Sequence, residues 1–355
     1  MISNDKPKLD AFNRRFFNLA ACRDFIGYLT KKAKVIAPHT KGDVSFIYKE
    51  VSDPANVVFS YPRTIQSLKK FFLPPREKLL SFNIKSNEFK TMELTPEKRI
   101  FFGIHSYEMQ AIKRLDYSFL KGNPEANYLT RRENSIFIGI DFEPDEWHFS
   151  KSVGIDVDDF DGFSLYFKKY KDGYIVYEIT RDGWELLKDF KQGQKLNGEA
   201  IEFSDAQFKS KIKYHYNRLP QVFEHVYKSK VWDDVASRCV GCGTCNMLCS
   251  TCYCFDVRDE IELNATDGQR ERFWDSCMVN RFAEVAGGED FRDKLNKRTR
   301  HRLYRKFKYI TDQSGMMHCV GCGRCSRYCP ADINIVDIIN ALIDEYAEQQ
   351  QKNII

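Results

Sequence analysis

Cys239-Val-Gly-Cys242-Gly-Thr-Cys245-Asn-Met-Leu-Cys249 and Cys319-Val-Gly-Cys322-Gly-Arg-Cys325-Ser-Arg-Tyr-Cys329, the second followed by Pro330, share one spacing. It is C-x2-C-x2-C-x3-C, written twice, the ligand run of two-cluster iron–sulfur proteins. A cubane needs four thiolates converging from different directions. Three cysteines at intervals of three can wrap one cube, because the glycines between them let the backbone turn closely without a Cβ clash. The fourth, three residues on, points away and serves the other cube. The spacing therefore predicts two [4Fe-4S] clusters. One takes Cys239, Cys242, Cys245 and Cys329; the other takes Cys319, Cys322, Cys325 and Cys249.

Two other uses of cysteine fit less well. Structural zinc also uses C-x2-C pairs, but needs four ligands. Each run here offers three closely spaced cysteines and a fourth. Disulfides need an oxidising compartment, and the N-terminus, Met-Ile-Ser-Asn-Asp-Lys, has no apolar export segment. Eleven of the twelve cysteines lie after residue 238, and Cys22 reads as a small buried apolar side chain. The expected setting is a reducing one, the cytoplasm.

Outward from the runs, three thiols remain: Cys252 and Cys254 in Ser250-Thr-Cys-Tyr-Cys-Phe, and Cys277 in Trp274-Asp-Ser-Cys-Met. They read as an extra ligand set, as a redox-active thiol near the clusters, or as polarisable packing that shields a cube. Three are one short of a normal cubane, which favours packing; a fourth ligand from a partner would reverse that. Residues 292–308 are basic, with Leu295, Leu303 and Phe307 among the charges. The safer reading is a solvated amphipathic helix. The sharper one is electrostatic, since nearby cations raise the potential of an anionic cubane and steer an acidic partner. His318 adjoins the second run, a position from which it could hydrogen-bond to the cluster. After Pro330 the apolar residues from Ile333 to Tyr346 predict a long helix with a buried flank, and so a mainly helical di-cluster ferredoxin domain over 230–355.

The chain has 355 residues, room for two domains, and 43% hydrophobic residues, ordinary for a globular protein. No window approaches a membrane span. A net charge of +5 is too mild to argue nucleic acid, and stacking platforms are absent. Residues 1–229 read as an α/β-like domain, which makes the whole chain α+β. A helix is expected over 8–33, a short strand over 35–37 ending at Pro38, and another over 45–48. Residues 100–104 and 135–140 are continuous apolar runs, as in strands buried on both faces, with a helix over 106–120 between them: a parallel crossover unit. Residues 163–167 and 174–179 alternate about Lys171-Asp172-Gly173 and predict a hairpin. Helical stretches are expected over 181–193 and 204–229. No dinucleotide or P-loop signature occurs.

At 239–257, 274–278 and 318–330 the chain resembles the A-type subunits of anaerobic sulfite reductases and the β (iron–sulfur) subunits of cytoplasmic sulfhydrogenases. Those proteins carry Cys-x2-Cys-Gly-x-Cys-x3-Cys-Pro-Thr-Cys-x-Cys, then Ser-Cys-Met, then Cys-Val-Gly-Cys-Gly-Arg-Cys. Here the matches are Cys239 to Cys254, Ser276-Cys277-Met278 and Cys319 to Cys325. The resemblance implies an electron-transfer subunit rather than a catalyst alone. It would carry electrons between a catalytic subunit of nickel–iron hydrogenase or sulfite reductase type and a flavin-containing NAD(P)H reductase-type subunit. A free-standing oxidoreductase, with a substrate or flavin bound by the N-terminal domain, is the alternative. Two departures stand out. Ser250 replaces the family's proline. The family's N-terminal Cys-Asp and Cys-Phe-Cys are replaced by Tyr107-Glu108 and His148-Phe149-Ser150, which implies that any further cluster held there is missing from this chain.

Overall fold

A computed structural model describes residues 9–196, 201 and 203–352. The strands are β1 (Arg14–Asn18), β2 (Lys34–Lys41), β3 (Ser45–Glu50), β4 (Arg76–Asn83), β5 (Glu88–Thr91), β6 (Arg99–Ile104), β7 (Ser135–Ile140), β8 (Leu165–Tyr170), β9 (Gly173–Glu178), β10 (Gln194–Lys195), β11 (Phe255–Ile261) and β12 (Asp267–Trp274). Among the described residues they form an eight-stranded sheet, β10-β1-β9-β8-β7-β6-β2-β3, and a four-stranded one, β11-β12-β4-β5. The centre of the large sheet, β2-β6-β7-β8, is parallel. Every residue of β6 is buried, which is why it reads as one unbroken apolar run. The helix Ser106–Leu120 makes the crossover from β6 to β7. The hairpin β8–β9 turns at Lys171-Asp172 and pairs antiparallel.

Several local expectations give way to tertiary pairing. The helix expected over 8–33 is split: residues 14–18 form β1 because Phe16 and Phe17 pair with Ile175 and Tyr174 of β9. The helix Leu19–Thr30 starts only where the Asn18 side chain caps it, accepting from the Ala21 amide. β2 runs through Pro38 instead of ending there. Its pairing with β6 stops at Ile36, so the missing proline N–H costs no ladder bond on that side. Residues 181–193 are helical only over Arg181–Leu187. The stretch 204–229 is mostly irregular, with one short helix, Leu219–His225.

The C-terminal third combines helices with strand. It has the helices Val231–Arg238, Leu295–Tyr304 and Ile335–Lys352, but also the long hairpin β11–β12. Its strands are charged rather than alternating, so periodicity does not reveal them. Ion pairs hold the register instead, among them Arg270–Asp259 within the hairpin and Arg76–Glu271 between β4 and β12. β12 pairs antiparallel with β4, so one sheet takes strands from both sides of residue 230. A buried knot, Glu77 with Arg131 and Arg272, reinforces that seam.

Among the described residues there are two apolar cores. One surrounds the large sheet; the other lies between the C-terminal helix, the helices at 219–238 and the segment 303–322. Ile335, Val336, Ile338, Ile339, Leu342, Ile343 and Tyr346 of the last helix are all buried within the chain. Among the described residues, no helix is long and apolar enough to cross a membrane.

Candidate metal centre

Each cysteine run folds into the same turn. Two glycines in each take left-handed φ, at 67° and 76° for Gly241 and Gly243 and at 64° and 71° for Gly321 and Gly323. A short helical turn follows, Thr244–Met247 or Arg324–Arg327. The turn aims amides at sulfur: the Gly241 N–H donates to Cys239 Sγ at 3.4 Å. In the second run the glycines are also required by contact. A Cβ on Gly321 would lie 2.4 Å from the Ser150 backbone, and one on Gly323 would lie 2.4 Å from the Trp147 carbonyl oxygen.

The fold interlaces the two runs. One cavity, about 580 Å³ where it opens outward, is lined by Cys239, Cys242 and Cys245 together with Cys325 and Cys329 of the other run. A second, about 320 Å³, is lined by Cys319, Cys322 and Cys325 together with Cys249. A third, about 400 Å³, is lined by Cys252, Cys254 and Cys277. The donor chemistry suits iron–sulfur clusters: soft sulfur gathered from both runs around the first two cavities. The first cavity is near the surface, with Cys242 exposed and Val240 67% exposed. The second is enclosed by Phe149, Val320 and Ile335.

The electrostatics come from buried cations on a segment whose sequence reads as a solvated face. Arg298, Arg302 and Lys306, four residues apart, lie on the inner side of the basic segment and are buried. The helix widens into a π turn over Arg305–Tyr309, a feature frequent at functional sites. Arg302 borders all three cavities. It donates to Asn246 Oδ1 at 3.0 Å and to the Cys245 carbonyl at 3.4 Å. Burial works against its charge, but the sulfurs of Cys245, Cys325 and Cys249 hold it firmly protonated. Lys306 donates to Thr251 Oγ1 at 2.9 Å and faces Cys249, Cys252 and Cys319. Burial opposes ionisation of Cys249 as well. Lys306, a hydrogen bond with Thr251 and Arg302 outweigh it and pull that thiol down to about 6. At Cys245 and Cys319 burial wins: each is pushed up to about 12, so their thiolates need a cationic partner. The spacing of 298, 302 and 306 is the signal that sequence offers. What it lacks is a reason to bury charge.

The N-terminal region closes over the second run. The Phe149 amide donates to the Gly321 carbonyl at 2.9 Å. Arg324, fully buried, pairs with Glu108 and donates to the Thr64 carbonyl at 2.8 Å. The fold gathers Tyr107, His148 and Ser150 here. The rings of Tyr107 and His148 are 5.4 Å apart, Arg324 lies over Tyr107, and Ser150 abuts Gly321. Burial holds His148 down at about 4, against the pull of its Asp145 hydrogen bond. This pocket is a polar and aromatic seam, without a thiol ligand set.

An α+β chain with interlaced cysteine cavities set among buried cations is an iron–sulfur protein built for electron transfer. Residues 238–333 match the 4Fe-4S dicluster domain family. The chain is 33% identical over 325 residues to sulfhydrogenase 2 subunit beta of Pyrococcus furiosus, covering 89% of this chain and 94% of that one. It is 27% identical over 113 residues, 31% of each chain, to the formate dehydrogenase-O iron–sulfur subunit of Escherichia coli. No solved structure gives a significant match. The chain belongs to the family of sulfhydrogenase β subunits.

Proposed function

We propose that the chain is the electron-transfer subunit of a multi-subunit oxidoreductase. It carries electrons between a catalytic subunit of nickel–iron hydrogenase or sulfite reductase type and a flavin-containing NAD(P)H reductase-type subunit. Two [4Fe-4S] clusters do this, one on Cys239, Cys242, Cys245 and Cys329, the other on Cys319, Cys322, Cys325 and Cys249. The observation that carries the reading is the exchange of the fourth cysteine: Cys329 lines the first run's cavity and Cys249 lines the second's. A [4Fe-4S] cluster, when bound, takes up and releases one electron at a time.

The chain's own residues do the rest. The glycine turns present amides to sulfur, and Arg302 and Lys306 supply fixed positive charge. Phe149, Val320 and Ile335 keep water from the second site. The outward position of Cys242 and Val240 brings the first site within reach of a partner. Residues 1–229 act as scaffold and docking surface, and 230–355 hold the clusters.

Anaerobic purification of the native protein tests this. A flavoprotein and a metal-dependent catalytic subunit should co-purify, and NAD(P)H should bleach the cluster absorbance only when the flavoprotein is present. A colourless, zinc-loaded chain, or one that binds its own flavin and turns over substrate alone, would end the idea.

A further inference from the structure

We propose that Cys252, Cys254 and Cys277, with His318 as fourth ligand, hold a third iron–sulfur cluster. The proposal rests on the electron-transfer reading above and extends it. Three thiols are one ligand short of a cubane, and the fold supplies an imidazole. His318 lines the same cavity and is 2% exposed. Neither of its ring nitrogens makes a hydrogen bond of normal geometry, and the Thr251 backbone, Lys306, Arg114 and Arg305 surround it. An imidazole so buried and unpartnered is a donor awaiting an acceptor.

The sulfurs are gathered for one ligand. Cys252 contacts Cys254, and Cys254 contacts Cys277. Asn246 Nδ2 donates to Cys277 Sγ at 3.1 Å, the kind of bond that orients a ligating sulfur. The void beside them is no smaller than that of the second site. A single tetrahedral ion would instead draw its ligands to one point, with bonds of about 2.0–2.3 Å. Among the described residues no three such side chains converge in that way.

Charge points the same way. Arg302 and Lys306 border this cavity as they border the second. Lys69 lies behind the lining and interacts with two of the same cysteines. It is 3% exposed, its ammonium lies 3.8 Å from the centre of the Trp274 ring, and the groups of opposite charge that face it are Cys252, Cys249 and Cys254. A buried ammonium beside these sulfurs favours their anionic form. The site adjoins the second one through a single turn, in which the Cys252 amide donates to the Cys249 carbonyl at 3.3 Å.

The test is iron content and pulsed EPR on the full chain, reconstituted anaerobically with iron and sulfide. Wild type should bind about twelve irons, and Cys254→Ala or Cys277→Ala about eight, with the other two cluster signals intact as proof of folding. A nitrogen hyperfine coupling from a ligating imidazole should appear in wild type and in His301→Ala, and vanish in His318→Ala. Wild type with about eight irons, unchanged in Cys277→Ala, would overturn the proposal and leave the two-cluster reading standing. One zinc per chain at this site would also overturn it. Iron that survives Cys239→Ala and Cys319→Ala but not Cys277→Ala would sustain it and sink the two-run reading.

Discussion

Replacing Arg302 with methionine removes the one cation that borders all three cysteine cavities while keeping most of its volume. The guanidinium is buried beside Cys245, Cys325 and Cys249, so its charge acts on both proposed clusters. Unit charges about 7 Å apart, at an effective dielectric constant of about 20, interact by about 2.4 kcal/mol. For one electron that is about 100 mV. Reduction adds negative charge, so loss of the cation should lower both potentials by about that amount. Redox titration followed by EPR reads it directly. Because the site is buried, the shift should persist at high salt, where surface effects are screened. Arg300→Met is the control: two residues away, Arg300 is half-buried, lines none of the three cavities and stacks on Tyr227 with its guanidinium carbon 3.8 Å from the ring centre, and its removal should shift the potentials little. A shift in Arg302→Met below about 30 mV, or equal to the control's, would refute the claim that buried charge from this segment sets the potential.

Three further outcomes follow from the seam and the turns. Glu108→Ala leaves Arg324 buried and without its carboxylate, so denaturant unfolding should show a loss of about 3–5 kcal/mol; breaking the exposed pair Lys213–Asp344 should cost no more than about 1 kcal/mol. Gly321→Ala forces a Cβ to within 2.4 Å of the Ser150 backbone at positive φ and should lower the melting temperature markedly. Gly241→Ala meets mainly the Leu295 side chain, at 3.2 Å, and should cost less; equal losses would contradict the close approach at Gly321. Burial raises the Asp141 carboxyl from its ordinary 3.8 to about 6, so its ionisation opposes folding once the pH rises above the unfolded value. Asp141→Asn should therefore stabilise the protein by up to about 3 kcal/mol near pH 7, and by nearly nothing near pH 4; a gain that does not depend on pH would contradict the assignment.

The parts of the fold legible in sequence are those whose local pattern and tertiary setting agree. β6, its crossover helix and β7 announce themselves because a strand buried on both faces must be apolar throughout. The hairpin β8–β9 shows in its alternation and its turn. β1 reads as helix because Phe16 and Phe17 fit either period, and only β9 decides between them. β11 and β12 are invisible because they pair with each other, and β12 with β4 far away in sequence, through charged side chains that carry no periodicity. The same division runs through the site. The eight run cysteines are legible since cluster chemistry fixes their spacing. Arg302, Lys306 and Lys69 are not, because a cation is normally read as solvent-facing, and what permits its burial is an anion that no sequence spells out.

Two kinds of buried charge divide the labour in this chain. Arg324 with Glu108, Arg63 with Asp145, and Glu77 with Arg131 and Arg272 find their partners inside the protein. These pairs join segments on either side of residue 230 or sit directly beneath that junction, so they hold the N-terminal sheet against the cysteine runs by themselves. Arg302, Lys306 and Lys69 are different: each faces sulfur, and Arg302 opposes the charge on Lys306 as Lys306 opposes that on Lys69. Left with neutral thiols, these cations repel one another in a setting that penalises each of them. Thiolates bound to iron reverse the sign of that interaction. The same three side chains that would tune a cluster's potential therefore also favour its insertion, and the paired charges keep the frame in place until that happens.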